Sequence, residues 1–135
     1  YTGLNSSGQT SIYGLFTSNI NVSNLRSAIE FYSEVGFSII SENESIATIS
    51  MPDGRHFTLK ESCNTEPPYE DANHLGIARI AIVTSDIDAD IERLNAAGIV
   101  TYTPEAITPA PPLNTLKYVA FEDPDGTIIE LIELL

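Results

Sequence analysis

Apolar and polar residues alternate along 14–22, GLFTSNINV, and a period of two predicts a strand. The period then lengthens. Leu25, Ala28, Ile29 and Tyr32 recur at helical spacing, Ser23 or Asn24 stands where an N-cap is needed, and Gly36 stands where a left-handed residue would end the helix. Three short strands are predicted next, at 37–42, 45–51 and 55–61, the last two joined by Pro52-Asp53-Gly54. The same programme then runs a second time. Strand 77–84, GIARIAIV, precedes Ser85 and Asp86, with Asp88 at capping-box spacing from Ser85. Ile87, Ile91 and Leu94 form the next apolar stripe, and Gly98 closes it.

The repeat is measurable. Asn24 and Asp86, Ile29 and Ile91, and Gly36 and Gly98 are each 62 positions apart, whereas Pro52-Asp53-Gly54 and Pro124-Asp125-Gly126 are 72 apart. The extra residues fall in 104–115, PEAITPAPPLNT, whose prolines keep it out of a sheet interior. A proline-rich loop of this length is a candidate flap over a pocket. The chain therefore divides into a polar, aperiodic extension at 1–12, module one at 13–61, a polar linker at 62–76 and module two at 77–135, with the order βαβββ in each module. The linker is long enough for the halves to pair within one chain or to exchange between two.

At 135 residues, 42% hydrophobic and 19% charged, the sequence suits a single packed domain rather than a disordered chain. No apolar run approaches the roughly 18 residues that cross a bilayer, and no basic-then-apolar leader opens the sequence, so neither a membrane span nor a secretory signal is expected. A formal charge of −13 repels phosphate backbones and anionic membrane surfaces, which argues against nucleic acid as a partner. Cys63 is the only cysteine, so no internal disulfide can form and a cytoplasmic location is expected.

Three stretches, NVSNLRSAIEFYSEVGF (21–37), IAIVTSDIDADIERLNAAGI (80–99) and YVAFEDPDGTIIELIEL (118–134), resemble the vicinal oxygen chelate superfamily of glyoxalases, bleomycin-resistance proteins and extradiol dioxygenases. The resemblance implies an α+β fold in which two βαβββ modules build a cupped, barrel-like mixed sheet with helices on the outside. It also implies a homodimer. In that family four metal ligands, usually His or Glu, come from the first and last strands of the two modules.

Strand alternation locates the equivalent positions. If Ile129 and Leu131 face the helices, Glu130 points into the cup; if Phe57 and Leu59 do, then His56, Thr58 and Lys60 point inward. Likewise Ser18, Ile20 and Val22 leave Thr17 and Asn19 in the cup, and Ile80 and Ile82 leave Arg79 and Ala81 there. The four family positions fall on Thr17, Thr58, Arg79 and Glu130. Only Glu130 is a competent ligand, since a threonine hydroxyl is weak and a guanidinium is a permanent cation. No metal cofactor is therefore expected; a divalent ion, if bound, would rest on Glu130 with His56. An Arg79–Glu130 pair across the cup floor is the expected replacement. It would either orient a polar, planar ligand or simply neutralise a buried site. His56 is open to three roles: rim ligand, general base, or hydrogen-bonding residue at a turn. Tyr118 and Tyr102 either wall the cup or join the core, and His74 is expected in solvent.

The resemblance leaves several functions. The first is metal-free binding of a small polar or aromatic molecule in the cup through Thr17, Asn19, His56, Thr58, Arg79, Tyr118 and Glu130. The second is a lyase or isomerase of the lactoylglutathione-lyase kind, with Glu130 as proton-transfer base or as part of a rebuilt metal site. The third is an interaction module without a ligand.

Overall fold

The computed structural model describes Ser11, residues 17–63 and residues 79–135. Nearly all of the expected extension, most of the linker and His74 lie outside the described residues.

In module one, β1 (Asn19–Val22) leads into α1 (Leu25–Val35), followed by β2 (Ser38–Glu42), β3 (Ile46–Ser50) and β4 (His56–Glu61). The last strand returns parallel to the first, giving the order β1-β4-β3-β2. Module two repeats the plan with β5 (Ile80–Val83), α2 (Ile87–Ala96), β6 (Leu116–Glu122) and β7 (Ile128–Leu134), ordered β5-β7-β6. Asn19 pairs with Thr58 in the first sheet and Ala81 with Glu130 in the second, so the repeat extends to strand register. The cupped sheets do not close into a barrel.

Two expectations are corrected. The repeat called for three strands after the second helix, and the structure forms two. In place of the third, Ile107 exchanges backbone hydrogen bonds of 2.8 and 2.9 Å with Tyr118, and the Tyr102 amide donates to Ala120. Pro104, Pro109, Pro111 and Pro112 carry no amide hydrogen, which leaves the segment unable to sustain a ladder. The second correction concerns the cap of α2, which is Asp86 rather than Ser85. The Asp86 carboxylate accepts from the Ala89 amide at 3.1 Å, as the Asn24 side chain accepts from the Ser27 amide at 2.9 Å on α1. Each helix start has a second acceptor that comes from the last strand of its own module: Glu61 takes the Leu25 amide at 2.9 Å and Glu133 takes the Ile87 amide at 2.8 Å. The first turn of a helix has unpaired amides and a partial positive charge, so a carboxylate there satisfies both.

One continuous core joins the modules, with Ile20, Val22, Tyr32, Ile49 and Leu59 from the first and Ile87, Leu94, Val119, Phe121 and Ile129 from the second. Phe31 meets Phe121 with ring centroids 6.2 Å apart. The end of α1 is fastened to α2 by Arg93, whose guanidinium donates to the Glu34 carbonyl at 2.8 Å and the Val35 carbonyl at 2.7 Å. Gly36, at φ 122°, follows immediately. A Cβ there would sit 3.4 Å from the same guanidinium, so glycine suits both the backbone and the clamp. No helix among the described residues is long and apolar enough to cross a membrane.

Candidate functional site

The face of each sheet that does not carry the core is the cup face, and its composition follows from register. Burial of Phe57 and Leu59 turns His56, Thr58 and Lys60 to that side; burial of Ile129 and Leu131 does the same for Glu130. These placements agree with the alternation read from sequence.

In module two, Arg79 stands just before β5 and donates from Nη1 to Glu130 Oε2 at 2.7 Å. The arginine side chain is 44% exposed and the glutamate 12%, so the carboxylate sits low in the sheet and the guanidinium reaches over it from the rim. Glu130 lies between Ala81 on β5 and Ala120 on β6 in one cross-strand row. Two methyl groups beside a long side chain leave open space on either side of it. The next row is Val83, Ile132 and Tyr118, which puts Tyr118 on the cup face rather than in the core.

Module one is bonded differently. The Thr58 hydroxyl donates to Asn19 Oδ1 at 2.8 Å, and Asn19 Nδ2 donates in turn to Asn21 Oδ1 at 2.9 Å. Thr17 donates to the His56 carbonyl at 3.2 Å, tying the approach to β1 against the start of β4. Thus Thr17, Asn19, His56 and Thr58 are brought together in the first sheet, and Arg79, Tyr118 and Glu130 in the second. Tyr102 is mostly exposed. Partial burial, with a hydrogen bond to Glu122, pushes its phenol up to about 12.

The donor set does not fit a divalent ion. Thr58 is committed to Asn19, and Arg79 holds a positive charge 2.7 Å from the one carboxylate at the family positions. Among the described residues no three His, Cys, Asp or Glu side chains gather. A cation approaching Glu130 would meet the repulsion of the guanidinium held beside it.

A cleft of about 570 Å³ lies elsewhere, on the helix side of the second sheet, between α2 and Pro104, Glu105 and Ala106. Its one ammonium, Lys117, is already bonded to Asp88 at 3.1 Å and lies 3.9 Å from Glu133. None of the cup residues lines this cleft. The start of the proline-rich loop accordingly faces the helix side, and at Ile107 the loop is bonded to the edge of β6.

Sequence reading overlooked the contacts that join the modules. The Tyr32 hydroxyl, wholly buried, donates to Asp123 at 2.8 Å, and the Ser23 amide donates to Asp125 at 2.9 Å. Tyr32 read as one more apolar stripe position, and Asp125 as a turn residue.

Comparison with known proteins agrees with this architecture. The model of the Glyoxalase/Bleomycin resistance protein/Dioxygenase superfamily matches residues 14–131. A glyoxalase family protein from Enterococcus faecalis is similar in structure, at 24% identity and a TM-score of 0.75, with 89% of this chain and 97% of that one covered. An antibiotic binding protein from Streptomyces sp. CB03234 is similar at 23% identity and a TM-score of 0.72, covering 94% and 100%. A glyoxalase/dioxygenase from Nostoc punctiforme is similar at 17% identity and a TM-score of 0.72, covering 93% of each chain. No curated protein matches the chain significantly. At these identities the solved structures speak for the fold alone.

Proposed function

Because the chain belongs to the Glyoxalase/Bleomycin resistance protein/Dioxygenase superfamily, we propose that it binds a small molecule in its cup without the divalent metal usual in the vicinal oxygen chelate family. The observation that carries this reading is the Arg79–Glu130 ion pair at 2.7 Å, a built-in cation at the position from which a metal would have to be held. Such a pair neutralises the partly covered carboxylate and still offers directional hydrogen bonds to a guest. A sequestering role is compatible with the fold, since an antibiotic binding protein shares it.

The proposal includes a homodimer. Among the described residues β1 and β5 each pair on one side only, and their outward backbone groups suit the edge of another copy. A second copy would also roof a cup that is open in a single chain. The exposed, solitary Cys63 suits a cytoplasmic setting.

Elemental analysis of protein purified without chelator tests the reading, together with light scattering for the dimer. Less than about 0.1 metal ion per chain is expected, and a thermal-shift screen of organic compounds should raise the melting temperature where a screen of divalent ions does not. Stoichiometric metal lost on Glu130→Gln would overturn the proposal in favour of metal-assisted lyase or isomerase chemistry.

A further inference from the structure

The charges of the first sheet are sorted by face. Apart from His56, its four strands carry three ionisable residues, Glu42, Lys60 and Glu61. Both carboxylates are engaged on the helix side: Glu42 lies 3.6 Å from Arg26 of α1, and Glu61 accepts the Leu25 amide at 2.9 Å. Burial of Leu59 leaves Lys60 exposed on the cup face, where no carboxylate from these strands accompanies it. The second sheet has the opposite balance. Burial of Phe121 and Ile129 puts Glu122 and Glu130 on its cup face, and among the described residues Arg79 alone offsets them.

The pairing of cations singles out the same lysine. The chain has six Lys and Arg against 19 Asp and Glu. Arg26, Arg55, Arg79, Arg93 and Lys117 each stand 2.7 to 3.6 Å from a carboxylate. Among the described residues Lys60 forms no ion pair, although Glu44 lies in the turn just before β3. Its register partners are Asn21 on β1 and Ile46 on β3. The Asn21 side-chain oxygen already accepts from Asn19 Nδ2 at 2.9 Å, so what the amide has left to offer a guest is its nitrogen. An ammonium and an amide donor thus stand on adjacent strands, about 5 Å apart at the backbone. Ile46, 37% exposed, flanks them with apolar surface.

We infer that Lys60, with Asn21 beside it, is the anion subsite of the cup and takes the carboxylate of a small organic acid. A carboxylate supplies the counter-charge that every other cation of the chain finds within the protein, and it accepts from both donors at once. One ammonium in a chain of net charge −13 suits one negative charge rather than two, which favours a carboxylate over a phosphate. The excess carboxylate on the second sheet steers the anionic end to the first sheet. This inference rests on the reading of the cup as a small-molecule site; it adds the charge of the ligand and the half of the cup that holds its head.

NMR titration of the isotope-labelled protein with 2-naphthoate, 2-naphthamide and 2-naphthylmethylammonium tests it, since the three share a ring system and differ in charge. The carboxylate is expected to perturb the side-chain resonances of Lys60 and Asn21 and to bind about tenfold more tightly than the amide, with the ammonium weakest. Lys60→Gln should bring the carboxylate down to the level of the amide at unchanged melting temperature, whereas Lys60→Arg should hold it within about threefold of the parent. Raising the salt concentration should weaken the carboxylate and leave the amide unchanged. Naphthoate binding no more tightly than the amide or the ammonium, or binding that Lys60→Gln leaves unaltered, overturns the anion subsite and leaves the small-molecule reading intact. No perturbation of cup resonances by any of the three overturns both.

Discussion

The Tyr32 hydroxyl and the Asp123 carboxylate, 91 positions apart in sequence, meet at 2.8 Å in the interior and hold the helix of module one against the last hairpin of module two. Asp123 also accepts the Asp125 and Thr127 amides at 2.9 Å each, so the same side chain organises its own turn. Tyr32→Phe removes the donor and leaves a buried oxygen unpaired. A loss of about 1 to 3 kcal/mol is expected in urea unfolding, with an unchanged m-value.

The same carboxylate gives stability a specific pH dependence. Burial raises the Asp123 carboxyl above its ordinary value, outweighing the bonds from Thr127, Tyr32 and Asp125 that lower it. The folded state then holds the proton more tightly than the unfolded chain does. Its stabilising contribution is complete below the unfolded value near 3.8 and is lost as pH rises through the raised folded value. Asp123→Asn abolishes this dependence. The stability advantage of the parent over the variant should therefore shrink as pH rises from below 4 toward neutrality; an advantage that grows over that range would contradict the assignment.

Arg79 and Glu130 should be coupled in a double-mutant cycle. With the arginine nearly half exposed, solvent screening limits the coupling to about 1 kcal/mol, measured by thermal unfolding of Arg79→Gln, Glu130→Gln and the double variant. Raising the salt concentration should reduce it. Additive single effects would mean that the two side chains are neighbours without being partners.

Arg93 fastens the end of α1 by a two-pronged bond that lysine cannot reproduce. Arg93→Ala is expected to cost about 1 to 3 kcal/mol, and Arg93→Lys most of the same amount, by chemical denaturation. Recovery of full stability by lysine would show that charge near the helix end, rather than the fork, matters.

Much of this was legible in the sequence because periodicity reports burial directly. The alternation in 55–61 and 128–134 placed Thr58 and Glu130 on the open faces, and the first cap was narrowed to Ser23 or Asn24, of which Asn24 serves. The assignment of Ser85 as the second cap failed because Thr84, Ser85 and Asp86 all carry suitable oxygens. Thr84 instead bonds to Asp90, and Asp86 turns to the helix start. Arg93 and Tyr32 were opaque for a different reason. Each sits at an ordinary helical position, and its partner lies in the other module, where no local pattern points. The lost strand of module two was half visible: the prolines excluded a ladder, but nothing in 104–115 foretold the bridge at Ile107.

The paired bonds from Glu61 to Leu25 and from Glu133 to Ile87 span 36 and 46 residues, from the end of each module back to the start of its helix. Each bond closes its module into a loop, so truncating either glutamate would loosen the seam between a helix start and its own sheet while the local caps at Asn24 and Asp86 stay in place.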